Sequence, residues 1–103
     1  MAEGKKYINS TASVSPSALH RAVTRAYRLT DENHHTEARK TFARLFGYDD
    51  LVKRYDEVNR LHMEAGHLTK DLSDMRNAID ETMEERIRRQ HGEDTLKQVY
   101  RGL

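Results

Sequence analysis

The chain has 103 residues, a hydrophobic fraction of 36%, and 18 basic against 17 acidic side chains, which points to one small, weakly hydrophobic folding unit. It contains no cysteine, which excludes disulfides, thiolate chemistry and cysteine-based zinc sites. The near balance of charge argues against a disordered chain, so the low apolar content points instead to a core completed by another molecule.

No apolar run approaches the roughly 20 residues of a membrane span, and the opening MAEGKKYINSTASVS carries no signal-peptide core. The expected location is the cytoplasm, and the Asn9-Ser10-Thr11 glycosylation sequon is read as a chance match. Residues 1–48 hold 8 basic and 4 acidic side chains, whereas residues 49–91 hold 8 and 11. Segments of opposite sign suit pairing within one chain or between copies.

Residues 1–14 are small and polar apart from Tyr7, Ile8 and Val14, and are expected to form a flexible arm. Residues 15–103 are expected to form a single helical domain. Ser15-Pro16 supplies an N-cap followed by proline at the first helical position, and Leu19, Ala22, Val23, Ala26 and Leu29 recur on one face. The first helix therefore covers about 16–29. A second, about 34–46, has Ala38, Phe42, Leu45 and Phe46 as its apolar face and Gly47 as its terminator.

The third segment begins at Asp49-Asp50. Val58, Leu61, Ala65, Leu68, Leu72, Met75, Ile79 and Met83 follow at steps of three or four, with Leu51 and Ile87 extending the stripe. The register runs through Ala65-Gly66, so a continuous helix over 50–91 is favoured over a hairpin at that point. Such a rod would be roughly 60 Å long, about twice the width of a globule of this size. The two preceding helices could not cover it, so the stripe predicts pairing with a second copy of the chain. A short final helix, about 94–101, presents Leu96, Val99 and Tyr100.

Two Glu-x-x-His pairs, Glu32/His35 and Glu64/His67, suggest metal ligands of the kind found in carboxylate-bridged helical bundles. Glu32 and His35 lie in a polar turn without apolar neighbours, and His67 points away from the stripe that Glu64 flanks. No metal site and no cofactor are therefore expected. His62 borders the stripe as an interfacial histidine, and an unperturbed imidazole there would titrate near 6.5. Arg54 and Arg76 fall on the stripe itself, where a polar residue can fix register or partner choice or simply extend its stem along a seam. Arg86, Arg88 and Arg89 complement the helix dipole, with Glu84 and Glu85 as nearby partners.

Arg21, Arg25 and Arg28 form a basic line on the first helix, with Arg39, Lys40 and Arg44 adding charge to the second. These could meet nucleic-acid phosphates, although no aromatic platform and no glycine-bearing helix-turn-helix connection accompany them. Phosphate loops, nucleophile elbows and zinc-protease motifs do not occur.

The sequence thus predicts an all-α protein that is not an enzyme. It would associate with itself through Val58, Leu61, Ala65, Leu68, Leu72, Met75, Arg76, Ile79 and Met83, and bind another protein as a regulator, inhibitor or scaffold. The alternative is a dimeric nucleic-acid-binding regulator acting through Arg21, Arg25 and Arg28. A membrane partner is not expected.

Overall fold

A computed structural model describes residues 14–103. The expected arm lies outside the described residues except for Val14, which packs against the core. The first helix, α1 (Pro16–Asp31), starts where its sequence signals place it. Ser15 is extended and its hydroxyl accepts the Ala18 amide at 3.1 Å, while Pro16 fills a first-turn position that needs no donor.

α1 ends in two backbone bonds, His34 N to Leu29 O at 2.7 Å and Asn33 N to Thr30 O at 3.0 Å. Asn33 sits at φ 67, in the left-handed region that asparagine tolerates better than most residues. Gly47, at φ 78, closes α2 (His35–Leu45) with the same pair of bonds, to Ala43 O and Arg44 O. The remaining helices are α3 (Asp49–Ala65), α4 (Lys70–His91) and α5 (Glu93–Arg101). The described residues are therefore all-helical, with five helices where the sequence predicts four.

The continuous helix expected over 50–91 is corrected to an antiparallel hairpin. Gly66 adopts φ 81 and takes the chain out of α3, and the Thr69 hydroxyl then caps α4 by accepting the Leu72 amide at 3.2 Å. Folding back sets the α3 face of Leu51, Tyr55 and Val58 against the α4 face of Ile79, Met83 and Ile87, and all six are buried in one cluster. A stripe that a straight rod would leave in water is thus largely covered by the chain itself, at roughly 25 cal/mol for each Å² of apolar surface removed. The longest dimension is 50 Å, shorter than the roughly 60 Å rod.

Polar cross-links hold the hairpin in register. Arg86 of α4 grips Asp50 of α3 through two bonds of 2.6 and 2.8 Å and lies over the Tyr48 ring. Arg88 pairs with Glu93 at 2.8 Å, so the partners expected for these arginines, Glu84 and Glu85, are replaced by residues that the fold brings near. Lys40 of α2 bridges Glu37 and Asp56. α5 returns along α1, burying Leu96 and Val99, and a Cβ at Gly102 would lie only 3.0–3.1 Å from Phe42, Val23 and Ala26, so those neighbours would have to give by a few tenths of an ångström.

The most central link joins three helices. The Tyr55 hydroxyl of α3 donates to Asp80 of α4, and Arg39 Nε of α2 donates to both Asp80 oxygens at 2.9 and 3.0 Å. Tyr55→Phe should cost about 1 kcal/mol and Asp80→Ala about 2 kcal/mol, the second because it leaves a half-buried guanidinium without its anion. In a double-mutant cycle read by urea denaturation, the hairpin predicts a coupling of about 1 kcal/mol between the two positions, where a straight helix would give none.

Candidate binding cleft

Three elements that are far apart in sequence converge at the hairpin end of the bundle. The N-terminal turn of α2, the last turns of α3 and the first half of α4 enclose a cleft of about 510 Å³. His34, His35, Thr36 and Glu37 form one wall, and Asn59, His62 and Met63 form the opposite one. Leu68 and Arg76 complete the enclosure. The cleft exists because Gly66 and Asn33 both reverse the chain at this end, stacking the start of α2 beside the end of α3.

The electrostatics of the cleft follow from one shared carboxylate. Asp80 accepts both the Tyr55 hydroxyl and Arg39, and Arg39 Nη1 donates onward to the His35 carbonyl at 3.0 Å. Arg76, one turn before Asp80 on α4, makes no hydrogen bond to it. Its Nε–H is buried without an acceptor, a rare condition for a charged donor. Burial, then repulsion from Arg39, draws its pKa below the ordinary guanidinium value. Burial pushes the Tyr55 hydroxyl well above the usual phenol range, and the adjacent Asp80 charge adds to the shift.

His35 is affected by the same cations. Burial, followed by Arg39 and Arg76, lowers its pKa from 6.5, which favours the neutral ring. The α2 N-terminus beside it has His34 at the capping position but no side-chain cap, so its first amides receive no capping acceptor. The cleft thus sets one arginine and several polar side chains beside a partly apolar wall. Glu37 is the one carboxylate among its lining residues, and Lys40 holds it at 3.2 Å.

The residues singled out from sequence distribute themselves as follows. Val58, Leu72, Ile79 and Met83 are buried within the chain, Leu61 and Leu68 are half-buried, and Ala65 and Met75 are exposed. Arg76 lines the cleft, whereas Arg54 lies on the other side of the hairpin, beside a shallow groove formed with Met75 and Ala78. Glu64 pairs with Arg60 at 2.6 Å, and His67 is exposed. Among the described residues no cluster of three or more histidine or carboxylate side chains is placed to hold a metal ion. Arg21, Arg25 and Arg28 all lie exposed on α1.

Sequence reasoning set His35 aside as a turn residue without neighbours to form a cavity. Those neighbours are His62, Met63 and Arg76, which only the hairpin delivers. The signal that could have revealed them was the pairing of Gly66 with Thr69, a helix stop followed by a helix start.

A second, smaller cavity of about 190 Å³ lies between the start of α1 and the α4–α5 junction. It is lined in part by Phe46 and by His91, whose Nε2 is also buried without a partner. Burial lowers the His91 pKa from 6.5.

These two histidines make stability depend on pH. A folded-state pKa below 6.5 means that the unfolded chain binds protons first as the pH falls. The stabilising difference is complete above about pH 6.5 and is lost as acid is added through that value. The melting temperature should therefore fall between about pH 8 and about pH 5.5. The double variant His35→Gln, His91→Gln should show a flatter profile over that window.

No known protein family, curated protein or solved structure matches this chain.

Proposed function

We propose that this protein is a non-enzymatic helical binding module that recognises other protein surfaces, a second copy of itself included, through the open end of the α3–α4 hairpin. The observation that carries this reading is the exposure of large apolar side chains there. Met63 is 75% exposed and Met75 is 40% exposed, on opposite sides of the hairpin and next to half-buried Leu61 and Leu68. Methionine is unbranched and polarizable, and suits a surface that must mould itself to a partner. No described helix is long and apolar enough to cross a membrane. A protein partner would cover these side chains on either side of the hairpin, and a regulatory, inhibitory or assembly role follows from that kind of contact.

Self-association on this reading uses the part of the stripe that remains uncovered, namely Leu61, Ala65, Leu68 and Met75 beside Arg76. Val58, Leu72, Ile79 and Met83 already have internal neighbours. Sedimentation at micromolar concentration should give a mass above one chain, and Met63→Lys with Met75→Lys should return it to one chain without lowering the melting temperature. If the wild type sediments as a single chain and captures the same proteins as the double variant, the reading fails.

A second reading rests on α1. Arg21, Arg25 and Arg28 share one exposed face of α1 and pair with no acidic side chain among the described residues. Exposed cations in a row along one helix can meet successive phosphates. Binding to a labelled DNA or RNA oligonucleotide should then weaken with salt at a log–log slope of about −3, one for each arginine. Replacing the three arginines with alanine should abolish it, and no binding at low salt would remove this reading.

A further inference from the structure

His91 is the last residue of α4, and Gly92 follows it at φ 96 to turn the chain into α5. Its ring packs on Phe46 with centroids 4.7 Å apart, and it lines the cavity of about 190 Å³ between the start of α1 and the α4–α5 junction. Nε2 is shut away from water there and has no hydrogen-bond partner among the described residues. A neutral imidazole leaves one nitrogen without a proton, so an unpartnered Nε2 is tolerable in that form. In the imidazolium both nitrogens are donors, and a buried charged N–H without an acceptor is costly.

The cavity offers no anion to such a cation. Its walls come from Val14, Pro16 and Leu19 at the start of α1, from Phe46, and from Thr95 and Gln98 of α5, with no Asp, Glu, Lys or Arg among its lining residues. The Thr95 hydroxyl is committed to the His91 carbonyl at 3.2 Å. Arg88 and Glu93, on either side of His91 in the chain, hold each other at 2.8 Å, and Arg44, Arg89, Asp94 and Lys97 are exposed. Tyr48 stacks on Phe46 at 5.9 Å and gives its hydroxyl to Gln90. Burial alone lowers the His91 pKa from 6.5, with no charged neighbour contributing.

We propose that His91 is an acid-operated latch on the corner where α1, α4 and α5 meet. Neutral, its ring covers Phe46 and holds the corner shut. Protonated, the ring swings out to solvent, where the C-terminal end of α4 favours a cation, and α5 loosens from the start of α1 about Gly92. Because the closed corner holds the neutral ring, it is fully shut above about pH 6.5 and opens as acid is added below that value. Phe46 and Leu19, 5% and 7% exposed in the closed form, are the apolar surface released. Leu51, Tyr55 and Met83 do not line the cavity, so the α3–α4 hairpin stays closed. The opening is thus local, and differs from the loss of overall stability that His91 shares with His35.

The test follows the full-length isotope-labelled protein by NMR from about pH 7.5 to about pH 5. The amide signals of Leu19 and of residues 93–99 should move with the His91 ring on one titration curve, and cross-peaks between the His91 and Phe46 rings should fade at its acid end. Signals of Tyr55 and Met83 should stay in place. At the acid end, amides of residues 96–99 should be protected from hydrogen exchange on the order of tenfold less than those of Tyr55 and Met83, through an opening that low urea does not accelerate. His91→Phe should keep the contact with Phe46 and abolish the pH response of this corner, whereas His35→Gln should leave the response intact. Should His91→Phe overfill the cavity and misfold, His91→Gln replaces it, and the titration of the unaltered chain decides alone. Loss of protection in α5 and the α3–α4 hairpin through one urea-sensitive transition, titration of His91 with its Phe46 cross-peaks intact, or the same acid response without His91 would overturn the proposal.

Discussion

Asp80 is one carboxylate serving two other helices, and much of the molecule is arranged around that fact. It accepts the Tyr55 hydroxyl from α3 and both bonds of Arg39 from α2, tying three helices together with a single half-buried anion. Taking an anion out of water is costly unless several donors compensate, and here they come from residues distant in sequence. The network can therefore form only in one register of the hairpin. An apolar seam of Val58, Ile79 and Met83 would tolerate a slip of one turn far better than this constellation does.

The same constraint sorts the hairpin into two ends. At its base, Leu51, Tyr55, Met83 and Ile87 meet Phe42, Phe46 and Leu96 in a continuous core. Toward Gly66 the core thins: Leu72 is buried outside that main cluster, Leu61 and Leu68 are half-covered, and Met63 and Met75 face outward. Burial free energy is thus concentrated at the base, and the tip is the part with least to lose by opening. Placing the cleft at that end couples it to the most adaptable part of the structure.

Local signals in the sequence were legible where the physics is local. Ser15-Pro16 starts α1, Gly47 ends α2, and the apolar positions of α1 and α2, with Leu96 and Val99 of α5, face the core as their spacing predicts, whereas Tyr100 is exposed. The long helix was misread because a stripe at steps of three and four is the same whether two helices lie end to end or back to back. Only Gly66 at a positive φ and the Thr69 cap distinguish them, and each is a weak signal alone. Pairings across the turn were equally hidden. Arg86 finds Asp50 rather than an acid on its own helix, and His35 lies across the cleft from His62, because the fold sets distances that sequence separation does not encode. Arg76 was legible as a residue out of place on an apolar stripe. What it lacks became visible only once Asp80 was seen to be occupied.

That lack does not come from a shortage of acids. The molecule carries 17 of them, and α4 alone exposes Asp71, Asp74 and Glu81 to solvent. A helical side chain, however, reaches mainly the residues three and four positions away. For Arg76 these are Leu72, Ser73, Ile79 and Asp80, so Asp80 is the single acid on its own helix within that reach, and it is turned toward Arg39 and Tyr55. Lys40, by contrast, holds two carboxylates. Arg76 is half-buried, and among its polar atoms it is Nε that is shut away from both water and an acceptor. The link from Asp80 to Arg39 and Tyr55 thus stands in place of a nearer pairing on α4 itself, between Asp80 and Arg76.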